Sequence, residues 1–117
     1  MSNTRRRKRF RKRCETEFAT NNNVVRRGMS TDLSLQGLFI KTTSPFPPDT
    51  VLNLVLHLNN GQTAALKVKV KRVVNATETT THASRHGMGV EIIEKDTHYI
   101  RFIASLIARY EVDDNSV

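Results

Sequence analysis

The sequence predicts a mainly β protein: a small six-stranded antiparallel β-barrel with a C-terminal α-helix and a flexible basic N-terminal arm. Six short stretches with the alternation or the β-rich composition of strands are separated by residues that favour turns. The last stretch changes to helical periodicity, and the first thirteen residues carry eight of the 19 Lys and Arg. A closed barrel pairs the edges that six strands would otherwise expose to solvent.

A chain of 117 residues is the size of one domain with a single hydrophobic core. Apolar residues make up 38% of the chain and charged residues 26%, which is typical of a globular protein. We expect residues 1–13 to form the arm and residues 14–117 to form the barrel domain, with the helix at about residues 96–111.

The basic charge of the protein belongs to its arm. The net charge is +8, and residues 1–13 hold eight cations and no acid, while the rest of the chain holds eleven charges of each sign. An arm of this kind is typical of a segment that seeks polyanions or becomes ordered on its ligand.

Several protein classes are disfavoured by composition. A lone Cys14 excludes an intramolecular disulfide. No apolar run approaches the roughly 20 residues that span a bilayer, and the N-terminal cations precede no apolar segment of a secretory signal. We therefore expect a cytoplasmic protein. Nothing long and heptad-like predicts a coiled coil, so we expect a monomer.

The first three strands lie before residue 43. Residues 14–20 alternate and predict the first strand, and residues 24–31 predict the second. Arg26, Arg27 and Gly28 interrupt the second strand and predict a bulge there. The apolar run at residues 38–42 predicts the third strand.

The next two strands form a hairpin. Residues 51–58 place four leucines on one face, and residues 66–71 alternate apolar residues with lysines. Between them, Asn60 and Gly61 both accept the positive φ of a tight turn. The polar, Thr-rich residues 75–86 predict a loop.

A last strand is predicted at residues 88–93, and the apolar spacing then changes to three and four residues. This spacing predicts an amphipathic helix whose apolar face carries Tyr99, Ile100, Ile103, Leu106, Ile107 and Tyr110. Asp96 or Thr97 is suited to cap its start.

The arm contains pairs of arginines at R-x-x-x-R spacing. Two guanidinium groups on one segment suit a ligand with phosphates and planar hydrogen-bonding edges, since one can pair with a phosphate while the other meets the O6/N7 edge of guanine. Three registers are open, Arg5 with Arg9, Arg7 with Arg11, and Arg9 with Arg13. We favour Arg9 and Arg13 because Arg13 adjoins the first strand. The alternative is a solvated tail in which no single cation matters.

A D-x-S-x-x-G pattern precedes the third strand. Asp32 and Ser34 share a face of an extended backbone, and Gly37 allows the chain to reverse and a base to approach it. The carboxylate can accept from guanine N1–H and N2–H₂, and the hydroxyl can serve a phosphate or a base. The alternative is a turn in which both side chains only bond the local backbone.

Together these motifs resemble the PilZ domain, the bacterial receptor module for cyclic di-GMP. The resemblance covers nearly the whole chain: R-x-x-x-R, a strand, D-x-S-x-x-G leading into an apolar strand, then the G-M-G-V-E segment at residues 87–91 before a terminal helix. It implies a PilZ-like barrel, with cyclic di-GMP as ligand and no cofactor. The ligand-binding roles of the family fall on Arg9, Arg13, Asp32, Ser34 and Gly37.

The arm is richer in cations than the PilZ pattern requires. Arg5 and Lys8 are therefore further candidates for ligand contact, and Lys8 bears on whether one nucleotide or an intercalated pair binds. Arg72 breaks the apolar alternation of its strand and is a third candidate.

We expect a receptor without enzymatic activity, whose arm becomes ordered on cyclic di-GMP and which signals to a partner protein. The alternative is a nucleic-acid-binding barrel with a basic arm, although aromatic residues are only 6% of the chain and stacking platforms are scarce. No constellation for catalysis can be assembled. His82 and His86 lack nearby carboxylate or thiolate partners, so we predict no metal site.

Overall fold

A computed structural model of the chain describes residues 9–21, 24–58, 60–75 and 86–115. Most of the loop predicted at residues 75–86 lies outside the described residues.

Six strands and one helix are present in the described part of the chain, and they confirm the predicted mainly β fold. In chain order they are β1 (Cys14–Ala19), β2 (Arg26–Thr31), β3 (Gly37–Lys41), β4 (Val51–His57), β5 (Thr63–Val74), β6 (Gly87–Lys95) and α1 (Thr97–Asn115).

The strands form a closed antiparallel barrel in the order β1-β2-β3-β6-β5-β4. Pairing of β4 with β1 closes it, from Thr16 opposite Leu56 to Ala19 opposite Asn53. Closure satisfies the backbone hydrogen bonds of both outer strands, as the sequence predicted.

Alternation on β4 shows how the sequence fills the barrel. Leu52, Leu54 and Leu56 are almost fully buried in the core, while Val51 and Val55, at the alternate positions, are exposed. Side chains on a strand alternate between its two faces, so one face of β4 builds the interior and the other meets solvent.

The predicted turn between β4 and β5 is confirmed. Gly61 has φ 88°, and its N–H donates to the carbonyl of Leu58 at 3.1 Å. The N–H of Leu58 in turn donates to the carbonyl of Gln62 at 2.8 Å, which fixes the register of the hairpin.

The bulge predicted at Arg26–Gly28 is wrong. The pairing of β1 with β2 runs unbroken from Cys14 opposite Ser30 to Phe18 opposite Arg26. Gly28 has a different function: a β-carbon there would lie 2.6 Å from the carbonyl oxygen of Lys41 on β3. The register shifts occur instead between β5 and β6.

Helix α1 is capped and anchored by its first residues. The carboxylate of Asp96 accepts from the N–H of Tyr99 at 3.0 Å, which is the expected N-cap geometry. Tyr99, Ile103 and Leu106 then enter the hydrophobic core, while Ile100 stays exposed. No helix in the described part of the chain is long and apolar enough to cross a membrane.

Candidate functional site

The basic arm is attached to the barrel at Phe10. Its N–H donates to the carbonyl of Leu33 and its carbonyl accepts from the N–H of Leu33, both at 2.8 Å. Phe10 is only 4% exposed and belongs to the core cluster. Its neighbours Arg9 and Arg11 are exposed, as expected where adjacent residues of an extended chain point to opposite sides. This anchor brings Arg9 beside the D-x-S-x-x-G turn.

The hydroxyl of Ser34 shapes that turn. Its Oγ donates to the carbonyl of Gly37 at 3.0 Å and accepts from the N–H groups of Gln36 and Gly37 at 3.2 and 3.1 Å. A serine hydroxyl has one donor and two acceptor positions, so the turn uses its full capacity. The alternative drawn from the sequence was a turn in which the side chains only bond the local backbone. Ser34 makes such local hydrogen bonds.

Asp32 and Gly37 bracket the turn with unusual backbone requirements. Asp32 has φ 53°, in the left-handed region that aspartate tolerates better than most residues. At Gly37, a β-carbon would lie 2.5 Å from the carbonyl oxygen of Val90 on β6. Any other residue would force β3 and β6 apart, so glycine is needed there for packing.

The turn forms one wall of a pocket of about 390 Å³ that opens over β3 and β6. The arm, the turn and strands β3, β5 and β6 all contribute. The residues that line the pocket are Arg9, Asp32, Ser34, Gln36, Gly37, Leu38, Phe39, Lys71, Arg72, Gly89, Val90 and Glu91.

The far wall of the pocket adds charged groups from β5 and β6. Lys71 and Arg72 are both exposed, and the Lys71 ammonium lies 3.6 Å from the carboxylate of Glu91. Among the described lining residues, three cations thus face two carboxylates, since Arg9 and Asp32 come from the near wall. The balance favours an anionic ligand that also offers hydrogen-bond donors to a carboxylate.

A buried tyrosine ties the turn to the helix. The hydroxyl of Tyr99 donates to the carbonyl of Ser34 at 2.6 Å, and the side chain is fully buried. Burial raises the pKa of Tyr99 well above its ordinary value, so the hydroxyl remains a donor at any physiological pH. Through this bond α1 supports the turn from inside the barrel.

The predicted site residues are largely brought together. Arg9, Asp32, Ser34 and Gly37 line the pocket, and so does the further candidate Arg72. Arg13 is exposed but does not line it. The other two candidates, Arg5 and Lys8, lie outside the described residues.

Sequence analysis did not identify Phe10, Lys71, Glu91 and Tyr99 as parts of this region. Phe10 carried a signal, because it is a single aromatic residue within a run of cations. The proximity of Lys71 to Glu91, the last residue of the G-M-G-V-E segment, had no local signal because it depends on the pairing of β5 with β6.

A larger groove of about 490 Å³ is lined by residues of β1, β4 and β5 and by the end of β6. It contains none of the predicted ligand residues, and its Lys67 ammonium lies 4.0 Å from the carboxylate of Glu94. The groove is mainly apolar and is lined by two lysines and three carboxylates, so the smaller pocket is the better candidate for an anion. In the described part of the chain no three metal-ligating side chains cluster.

Fold and pocket together define a small β-barrel with a charged pocket between a basic arm and a hydrogen-bonded turn. The family model for the PilZ domain matches residues 3–109, and the chain belongs to this family of receptors for cyclic di-GMP, which is not a known catalytic family. A search among curated proteins gives no match.

Proposed function

We propose that this protein is a monomeric, cytoplasmic receptor that binds cyclic di-GMP in the pocket between the arm and the D-x-S-x-x-G turn. The observation that carries the proposal is the convergence of Arg9, Asp32, Ser34, Gly37 and Arg72 on one pocket of a PilZ domain. These residues come from three separate segments of the chain, and chance alone would not gather them around a pocket of ligand size.

The chemistry of the near wall suits a guanine nucleotide. The carboxylate of Asp32 accepts from the N1–H and N2–H₂ groups of a guanine, which presents both donors on one edge. Arg9 pairs with a phosphate, and Arg13 provides the second guanidinium as the arm folds over the ligand. Ser34 holds the turn in the shape that presents Asp32, and the lack of a side chain at Gly37 lets the ligand lie against the backbone.

Ligand binding orders the arm, and the liganded surface signals to a partner protein without any chemical reaction. Phe10 serves as the fixed point, since it is already bonded to Leu33. Arg5 and Lys8 precede this anchor and supply further cations to the bound ligand. Charge-assisted hydrogen bonds in the pocket offset the entropy lost when the segment is fixed.

Calorimetric titration with cyclic di-GMP tests the proposal on single-site variants. We expect the wild-type protein to bind with a defined stoichiometry, and Arg9→Ala, Arg13→Ala and Asp32→Ala each to weaken binding by about tenfold to a hundredfold. This range corresponds to the loss of one hydrogen bond to a charged group, about 1.5–3 kcal/mol.

Lys12→Ala is the matched control for the arm. It removes one positive charge from the same segment, at a half-buried residue that does not line the pocket and lies outside the R-x-x-x-R pair. We expect it to weaken binding by less than threefold, roughly the effect of a screened surface charge. A folded wild-type protein that does not bind cyclic di-GMP would overturn the proposed function. Equal losses of affinity in Lys12→Ala and Arg9→Ala would show that the arm acts only as a nonspecific basic tail.

A further inference from the structure

The alternation of inward and outward side chains along β5 is interrupted at Lys71. Val68 and Val70 point into the core and are completely buried. The pairing with β6 then shifts, because Val70 lies opposite Val90 whereas Arg72 lies opposite Gly89. In an unbroken strand Arg72 would share the inward face of Val70. The β-bulge turns it outward instead, into the pocket.

The side chain of Arg72 lies across Gly89. A β-carbon built on Gly89 would be 3.2 Å from Nε and 3.5 Å from Cγ of Arg72. The bare backbone of β6 therefore supports the stem of the arginine at close range. Gly37 differs in kind, because the obstruction there is the carbonyl oxygen of Val90 rather than a flexible side chain.

The position of Gly89 makes this contact relevant to the ligand. On its other side Gly89 lies opposite Phe39 of β3, and both residues line the pocket with Arg72. A side chain at residue 89 would stand on the pocket floor, in the space that the Arg72 stem occupies. Arg72 is exposed, and an exposed arginine side chain is ordinarily mobile. The contact with the backbone of β6 limits the orientations that its guanidinium can adopt.

We propose that Gly89 is a positioning residue: together with the bulge at Lys71, it holds the guanidinium of Arg72 in the pocket for an anionic ligand. The inference rests on the proposed function and deepens it. Arg9 reaches the ligand from the arm, which the sequence motif predicts, whereas Arg72 reaches it from across β6. A ligand with two phosphates thus meets cations from two sides.

The test is a double-mutant cycle measured by calorimetric titration with cyclic di-GMP. The variants are Gly89→Val, Arg72→Ala and the pair of both, with Gly89→Ala as a milder step. We expect Gly89→Val and Arg72→Ala each to weaken binding about tenfold, and Gly89→Ala to weaken it by less. The double variant should be no weaker than Arg72→Ala, because Gly89 acts through that arginine.

Lys69→Ala provides the matched control. It removes one cation from the same strand, but Lys69 does not line the pocket, so its affinity should remain within about threefold of wild type, as expected for a screened charge. Thermal unfolding of every variant separates loss of the fold from loss of binding. Only the Arg72 side chain lies near a β-carbon at residue 89, so Gly89→Ala should fold.

The outcomes separate this inference from the function on which it rests. Absence of binding by the folded wild-type protein would overturn both. Binding by the wild type with full affinity in Gly89→Val, or a double variant weakened about a hundredfold, would overturn only the role of Gly89. If Gly89→Val does not fold, the Arg72 Nε–H resonance of the wild type decides. It should shift on saturation with cyclic di-GMP, and an unmoved signal would refute the inference.

Discussion

At the scale of single residues, Asp32 and Ser34 belong to the same sequence motif but have different structural roles in the turn. Ser34 uses its hydroxyl within the turn, whereas Asp32 lines the pocket from a left-handed backbone conformation. Tyr99 stabilises the same turn from below through its bond to the Ser34 carbonyl. The turn is thus held by hydrogen bonds on both sides, which keeps the pocket wall preorganised for a ligand.

Removal of the Tyr99 hydroxyl should reveal this support. We expect Tyr99→Phe to lower the free energy of unfolding by about 1–3 kcal/mol, because the buried carbonyl of Ser34 loses its donor. Ser105→Ala is the control, since it also deletes a hydroxyl that donates to a backbone carbonyl, that of Phe102, but on the exposed face of α1. Its effect should be within about 0.5 kcal/mol. Denaturant unfolding measures both, and equal losses would contradict a special contribution of Tyr99.

At the scale of elements, Asp96 fixes the start of α1 and joins it to β5. Its carboxylate accepts from the N–H of Tyr99 and also from the N–H of Ala65 at 2.9 Å. Partial burial acts to raise the pKa of Asp96, but these backbone hydrogen bonds outweigh burial and hold the pKa below its ordinary value of 3.8. The ionised carboxylate is therefore the form that the folded protein prefers.

This preference predicts a pH dependence of stability. A carboxyl whose pKa is lower in the folded than in the unfolded state stabilises the fold above its unfolded pKa, and the contribution is lost as the pH falls through the folded value. We expect thermal stability of the wild type to fall more steeply below about pH 4 than that of Asp96→Asn, which keeps a capping side chain without the charge. Thermal unfolding between pH 7 and pH 3 measures this difference. The same pH dependence of thermal stability in both proteins would show that ionisation of Asp96 does not contribute to the stability of the fold.

At the N-terminal end of the chain, the attachment of the arm to the barrel depends on one residue. Phe10 pairs with Leu33 and enters the core, so the arm joins the barrel four residues before β1 begins at Cys14. The hydrophobic contact stabilises a segment that its charges alone would leave in solvent. Among the described residues of the arm, it brings Arg9 to the pocket.

At the scale of the whole molecule, charge is distributed very unevenly. The net charge of +8 corresponds to the cations of the first thirteen residues, while the barrel domain is balanced. A basic arm on a neutral barrel attracts both a small dinucleotide and long nucleic acids, and the two differ in their response to salt.

Salt therefore distinguishes a receptor from a nucleic-acid-binding module. We expect affinity for cyclic di-GMP to change less than about tenfold between 50 and 200 mM salt, because a dinucleotide releases few counterions. Binding to a single-stranded oligonucleotide should fall far more steeply and be unaffected by Asp32→Ala. Fluorescence titration at several salt concentrations measures both ligands. A steep slope for cyclic di-GMP itself, unchanged in Asp32→Ala, would favour the nucleic-acid alternative.

The sequence by itself determined the fold class, the inward faces of the strands, the hairpin at Asn60 and Gly61, and the start of the helix at Asp96 or Thr97. These features follow from local periodicity and from backbone conformations that single residues prefer. Local signals also located the D-x-S-x-x-G turn, since Asp32 and Gly37 lie close together in the chain, but they left the register of the arginines in the arm open.

Only the tertiary structure decided which side chains meet. The bulge expected at Gly28 is absent and a bulge at Lys71 is present, because strand register depends on partners that lie far away in the sequence. The same long-range pairing places Arg72 above Gly89, and burial of Phe10 brings Arg9 rather than Arg13 to the pocket. Barrel closure sets these positions, and no stretch of neighbouring residues encodes it.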